Sequence, residues 1–167
     1  MAHSLGGISV QLALPHRFYG DRRMTKALFT HLLDAYTPRM QERLDGLHVL
    51  IVDDEPDVRR ATAQLLRSHG AKAVVATNAA DALDILELLD IDVVVSDIDM
   101  PSHDGFWLIG ELRSRPSLQS VPAIAFTGRG SGDRQRILDA GFSAHVVKTN
   151  PDMLCGTIRT LRQRAAG

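Results

Sequence analysis

A chain of 167 residues with 44% hydrophobic and 23% charged side chains has the length and composition of one globular domain plus a remainder, which excludes a disordered tail, a collagen-like repeat and a coiled-coil rod. The formal charge of −1 divides into +2 over residues 1–46 and −3 over residues 47–167, and neither is the strongly basic surface that nucleic-acid binding demands. No apolar run approaches the roughly 18 residues that cross a bilayer, no Lys or Arg precedes Arg17, and the lone Cys155 can close neither an internal disulfide nor a zinc cluster, so a cytoplasmic protein without membrane or nucleic-acid contact is expected.

In chain order, the first predicted element is a weakly alternating stretch at residues 8–14 that follows Gly6-Gly7 and ends at Pro15. Residues 1–20 are taken as a leader. Residues 21–44 then read as a helix interrupted at Thr37-Pro38, with Phe29, Leu33, Tyr36, Met40 and Leu44 on one apolar stripe. One amphipathic helix cannot bury its own face. Residues 21–46 are therefore expected to form a helical linker or extension that docks on the rest of the chain, on further domains, or on a second copy as a homodimer through residues 21–44. His31 lies in this stretch without the flanking residues of a kinase phosphoacceptor and reads as an ordinary helix histidine.

From residue 47 to about 165 short β-branched runs alternate with helical stretches, the mark of βαβ units around a parallel sheet buried on both faces. Strands are predicted at residues 47–52, 71–75, 92–96, 121–126 and 144–147. The first helix opens at Pro56, a residue favoured early in a helix because its missing N–H has no partner there, and carries Val58, Ala61, Leu65 and Leu66 as its apolar stripe. His69-Gly70 ends it. Asn78 is the predicted N-cap of the second helix, with Ala82, Ile85, Leu86 and Leu89 on its stripe, and residues 105–114, 131–140 and 151–164 supply the other three. Right-handed crossovers then give an α/β fold with a doubly wound, open five-stranded sheet.

In such folds ligands bind beyond the carboxyl ends of the strands. There stand Asp53-Asp54 after the first strand, Asp97 and Asp99 after the third, Thr127-Gly128 after the fourth and Lys148 after the fifth. Clustered carboxylates repel one another unless a cation joins them, and all-oxygen ligation by few protein groups suits Mg²⁺, which keeps several waters and often shares a phosphate. A carboxylate beside Mg²⁺ is a competent nucleophile toward phosphorus, while a lysine and a threonine hydroxyl can bind the equatorial oxygens during transfer. The chemistry these groups imply is formation and hydrolysis of an aspartyl phosphate.

The same residues carry a family resemblance. Val52-Asp53-Asp54-Glu55-Pro56, Ser96-Asp97-Ile98-Asp99-Met100-Pro101 with Asp104-Gly105, Phe126-Thr127-Gly128 and Val146-Val147-Lys148 occur in the order and spacing of the receiver domain of bacterial two-component response regulators, which residues 47–164 resemble. The resemblance implies the flavodoxin-like strand order 2-1-3-4-5 and a phosphorelay role without enzymatic turnover beyond assisting its own phosphorylation and dephosphorylation. It also implies Asp97 as the phosphoacceptor, supplied by phosphohistidine on a sensor histidine kinase or a histidine phosphotransfer protein. Asp54 and Asp97 would ligate Mg²⁺ directly, Asp53 largely through water and Asp99 through its backbone carbonyl. Lys148 would pair with the acceptor and then with phosphate, and Thr127 would turn toward a phosphoryl oxygen. The readout surface toward a downstream effector protein would be the fourth helix, fifth strand and fifth helix.

The chain departs from the family pattern in three respects. Lys148-Thr149 replaces the usual Lys-Pro, His145 replaces the usual Tyr or Phe that couples to the threonine, and Asp99, Gly128 and Arg129 stand where the family varies the groups that gate access to the phosphoryl group. Asp97-Ile98-Asp99 after a hydrophobic strand also resembles the nucleophile motif of haloacid-dehalogenase-type phosphatases, although the acidic pair precedes it and Pro101 takes the place of that family's Thr or Val. A phosphorylation-independent pseudo-receiver is the other alternative. Residues 8–14 resemble the last strand of a histidine-kinase ATPase domain, so two settings stand: a stand-alone receiver, or the C-terminal receiver of a hybrid kinase. No output domain is expected after the fifth helix.

Overall fold

The computed structural model describes residues 43–128 and 130–165, together with two short strands, β1 (Ser4–Leu5) and β2 (Ile8–Ser9). The chain divides into two compact units, Met1–Gln41 and Glu42–Gly167. In the first, β1 and β2 pair antiparallel with Ser4 opposite Ser9 and Leu5 opposite Ile8. The helical stripe at Phe29, Leu33, Tyr36 and Met40, and His31, fall outside the described residues.

The second unit alternates strand and helix throughout. Its elements are β3 (His48–Val52), α1 (Pro56–Ser68), β4 (Lys72–Ala76), α2 (Ala79–Leu88), β5 (Val93–Ser96), α3 (Gly105–Ser114), β6 (Ala123–Thr127), a 3₁₀ turn (Ser131–Asp133), α4 (Arg134–Asp139), β7 (Ala144–Val147) and α5 (Asp152–Ala165). The five strands are all parallel in the order β4-β3-β5-β6-β7, the 2-1-3-4-5 arrangement. Strand residues feed two separate cores by simple alternation. Leu50, Val52, Val94, Ala123 and Ala125 face α2, α3 and α4, and pack with Leu83, Leu86, Leu108, Ile109, Leu112 and Ile137. Val49, Ile51, Val93, Val95 and Ile124 face α1 and α5, and pack with Ala63, Leu66, Leu154 and Ile158. The chain leaves β3 toward β4 on one side and reaches β5 on the other, so the crevice at the carboxyl ends opens between β3 and β5.

Local signals place the helix starts as expected. Pro56 occupies the start of α1, Asn78 Oδ1 accepts the Asp81 N–H at 2.9 Å to cap α2, and Asp104 Oδ1 accepts the Trp107 N–H at 2.8 Å to cap α3. Three details differ. The buried face of α1 is Thr62, Ala63 and Leu66, with Val58 and Leu65 half-buried and Ala61 exposed, because the helix turns that face onto β3 and β4. The predicted fourth helix begins instead as the 3₁₀ turn, with Gly130 and Gly132 lowering helix propensity there, so that α4 holds six residues.

The third difference concerns residues 43–46, which are not the end of a helix. Leu44 is 1% exposed within the α1/α5 core, and its N–H donates to the His69 carbonyl at 2.7 Å. Gly70 has a φ of 92°, and a Cβ there would collide with the Asp45 carboxylate. Leu44 is thus a core residue of the second unit rather than part of a linker stripe.

Candidate functional site

The acidic residues and the lysine of the site lie on the first residues after a strand. Asp53, 2% exposed, is held at each polar group: its N–H donates to the Ala76 carbonyl at 3.3 Å, and its own carbonyl accepts from Arg59 Nη1 at 2.6 Å. Its Oδ1 accepts the Glu55 N–H at 2.9 Å and its Oδ2 faces Lys148 Nζ at 2.8 Å. Asp54, the next residue, is exposed, and its carboxylate makes no hydrogen bond among the described residues. Asp97 is 7% exposed. Its N–H donates to the Val52 carbonyl at 2.8 Å, its Oδ1 accepts from Ile98 N–H at 2.6 Å and Asp99 N–H at 3.4 Å, and its Oδ2 accepts from Lys148 Nζ at 2.7 Å.

Lys148 therefore sits between two carboxylates. Burial alone would pull its ammonium down, but hydrogen bonds and attraction from Asp53 and Asp97 outweigh that and hold it above the ordinary lysine value. Carboxylate oxygens of Asp53, Asp54 and Asp97 lie within 4.8 Å of one another, facing this single ammonium. Three carboxylates against one cation, with the Asp54 oxygens unengaged, is a donor set that fits a hard divalent cation.

The loop after Asp97 is tightly turned. His103 N–H donates to the Pro101 carbonyl at 2.8 Å around Ser102, whose φ of 66° is strained for a residue with a Cβ. Gly105 then begins α3 with its N–H on the Ile98 carbonyl at 2.9 Å, and a Cβ there would collide with the Asp97 carbonyl oxygen and Ile98 Cα. The first turn of α3 thus lies backbone against backbone with Asp97. The His103 ring stacks on Trp107 at 4.0 Å between centroids, and the Arg136 guanidinium of α4 sits 4.6 Å above the Phe106 ring.

Of the other predicted residues, Thr127 ends β6 fully buried, its carbonyl accepting the Lys148 N–H at 2.9 Å, and Gly128 and Asp99 are exposed. Arg129 lies outside the described residues. His145 is half-buried on β7 opposite Ala125, and its buried Nε2 has no hydrogen-bond partner. The Lys148-Thr149 peptide is trans, as are all the described peptides. Sequence reasoning missed Arg59, Ser102 and the packing of Gly105. A left-handed serine leaves no sequence signal, whereas an arginine one turn into the helix that follows Asp53-Asp54 is within reach of that turn.

The family model of the response regulator receiver domain matches residues 49–159. The chain belongs to this family. The response regulator Rre1 of Synechocystis is 38% identical to this receiver over 127 residues, covering 73% of this chain and 55% of that protein. The sensor histidine kinase RcsC of Salmonella typhimurium is 30% identical over 164 residues, covering 97% of this chain and 17% of the kinase. This chain thus spans about half of one relative and a small part of the other. Among solved structures, the response regulator TrrA of Thermotoga maritima, in complex with Mg²⁺-BeF, superposes with a TM-score of 0.63 at 29% identity, covering 69% of this chain and 98% of that one.

The receiver is a signalling domain of two-component systems, a family that works with histidine kinases and phosphotransfer proteins. The match leaves the dehalogenase-type phosphatase alternative without support. Among the described residues no helix is long and apolar enough to cross a membrane.

Proposed function

We propose that this receiver accepts a phosphoryl group from phosphohistidine onto Asp97. The observation that carries the reading is the placement of Asp97 Oδ2 on Lys148 Nζ at 2.7 Å with Asp53 and Asp54 alongside. An Asp97 carboxylate oxygen attacks phosphorus, the P–N bond to the donor imidazole breaks, and the imidazole leaves with the electron pair. Lys148, bonded to the carboxylate beforehand, stays beside the new phosphoryl oxygens, and Thr127 turns its hydroxyl toward them. Asp54 and Asp97 would hold Mg²⁺ directly, Asp53 through water and Asp99 through its main-chain carbonyl; the bound ion offsets charge on the carboxylates and on the transferring group. Asp99 and Gly128 flank the approach, and they and Arg129, which stands at the other position the family varies, tune how fast water removes the phosphoryl group. His145, with its unbonded Nε2, couples Thr127 to the surface of α4, β7 and α5, where a downstream effector docks.

The test is labelling with acetyl phosphate or a phosphohistidine donor, located by mass spectrometry. Label on Asp97 alone, lost without Mg²⁺ and in Asp97→Ala, is expected. Label that persists in Asp97→Ala and disappears in Asp99→Ala would show the wrong carboxylate was chosen, and no label under any condition would favour the phosphorylation-independent pseudo-receiver.

Residues 47–165 form the receiver in this reading, with residues 1–20 as leader and 21–46 as linker, whose residues 21–44 dock on a second copy; among the described residues Leu44 is the one linker residue that also packs into the receiver core. The alignment to RcsC runs across nearly all of this chain, which favours the hybrid-kinase setting, with residues 8–14 as the last strand of an ATPase domain. An in-frame ATPase-domain sequence upstream of Met1 is the expected genomic finding; an in-frame stop codon shortly before Met1 would remove this setting.

A further inference from the structure

Asp53 cannot point its carboxylate freely, since both oxygens are already hydrogen-bonded. What orients Asp53-Asp54 is therefore the turn itself, and the one side chain bonded to that turn's main chain is Arg59, through Nη1 to the Asp53 carbonyl at 2.6 Å. Arg59 is half-buried on α1, and this is the sole hydrogen bond of its side chain, with no carboxylate in ion-pair reach among the described residues. Here the guanidinium is committed to a neutral carbonyl, one turn into the helix that follows the acidic pair. Arg60, the next residue, makes the contrast: it is exposed and pairs with exposed Asp57 at 3.3 Å.

We infer that Arg59 is a positioning residue for the divalent cation, pinning the Asp53 carbonyl so that the turn presents Asp54 toward Asp97. The inference rests on the metal role proposed above for these carboxylates. Its sign is diagnostic. A nearby positive charge acting only through its field opposes a bound cation, so deleting it would tighten Mg²⁺ binding. A positioning role predicts the opposite, because release of the carbonyl lets the Asp53-Asp54 turn sample orientations that do not bind.

The experiment is calorimetric Mg²⁺ titration of the full chain as wild type, Arg59→Met and Arg60→Met, each first checked for its melting temperature in EDTA. Arg60→Met subtracts the same charge one residue away and leaves the Asp53 carbonyl bonded. The Mg²⁺ dissociation constant of Arg59→Met is expected to exceed that of Arg60→Met by about three- to tenfold, within the range of the net contribution of one ordinary hydrogen bond. The acetyl phosphate labelling rate of Arg59→Met should return to the wild-type value once Mg²⁺ is raised to saturation, a recovery that general loss of structure would not allow. Arg59→Lys, with a shorter ammonium on an intact stem, is the second variant should the methionine substitution unfold the chain, and should also bind Mg²⁺ more weakly than Arg60→Met. Binding equal to or tighter than that of Arg60→Met in the folded Arg59 variants overturns the inference while leaving the phosphoacceptor reading in place. A wild type that binds no Mg²⁺ overturns both.

Discussion

The two ends of the central sheet handle polar groups in opposite ways. At the amino end, near the start of β3 and β5, the half-buried polar groups are engaged: Asp92 accepts the His48 N–H at 2.8 Å and pairs with Arg162 at 3.0 Å, and Arg113 donates to the carbonyls of Gln119, Val121 and Gly141, each at 2.9 Å. Arg115 joins Glu87 and Glu111 across α2 and α3. At the carboxyl end three carboxylates meet one lysine, and a serine is held at a φ of 66°. Polar mismatch and strain persist in folded proteins where surrounding structure enforces them, and they gather at working sites. The amino end holds the fold together and the carboxyl end holds it ready for a ligand, so substitutions at the two ends should move stability and cation binding separately.

Leu44→Ala, at the amino end, should produce the largest loss of stability, about 2–5 kcal/mol for a fully buried leucine, with Mg²⁺ affinity unchanged. Urea denaturation with and without Mg²⁺ measures both, and a change in affinity of more than twofold would break the separation. Lys148→Met comes next, at about 2 kcal/mol in EDTA, discounted from a fully buried ion pair because the lysine side chain is 19% exposed. The wild-type advantage has a defined pH range. A pKa raised in the folded chain gives stability that is fully present below the ordinary value of 10.5 and is lost as pH rises through the higher folded value. Denaturation at pH 8 and at pH 11 should therefore show the advantage shrinking at the higher pH; an advantage that grew would contradict the assigned partners.

Ser102→Gly should stabilise the receiver by about 1 kcal/mol, since glycine adopts the left-handed conformation without steric penalty, although part of the gain is offset by its greater freedom when unfolded. A lower melting temperature would show that the serine side chain contributes more than its backbone strain removes. The smallest effect is expected from Asp54→Ala, which removes the unengaged carboxylate and should raise the melting temperature by a few degrees in EDTA. The same variant should lose the further rise that Mg²⁺ produces in wild type. A variant that still gained from Mg²⁺ would move the cation to other ligands.

The strands and most helices between residues 48 and 165 were legible because a parallel sheet buried on both faces demands short, continuous apolar runs, and those runs alternate with 3.6-residue stripes. The convergence of Asp53, Asp54, Asp97 and Lys148 was legible too, since topology alone brings strand ends together. What escaped depended on rotation and backbone detail. The buried face of α1 is set by how the helix rolls on β3 and β4, which periodicity narrows only to a neighbouring stripe. Leu44 fitted a helical pattern and equally fits the extended segment it occupies, because one apolar residue belongs to either period. The Arg59 bond is a side chain reaching a main-chain oxygen, and that depends on the φ and ψ of the turn rather than on residue type.

The stacked pair at the start of α3 has a practical meaning. Trp107 is the only tryptophan of the chain, 36% exposed, packed on His103, and two residues beyond the glycine that lies against the Asp97 carbonyl. Its indole emission is consequently an optical gauge on the loop that joins Asp97 to α3. Ligand arrival and departure at Asp97 can be followed through it in real time, on unlabelled protein, with any signal at the tryptophan wavelength arising from one known place.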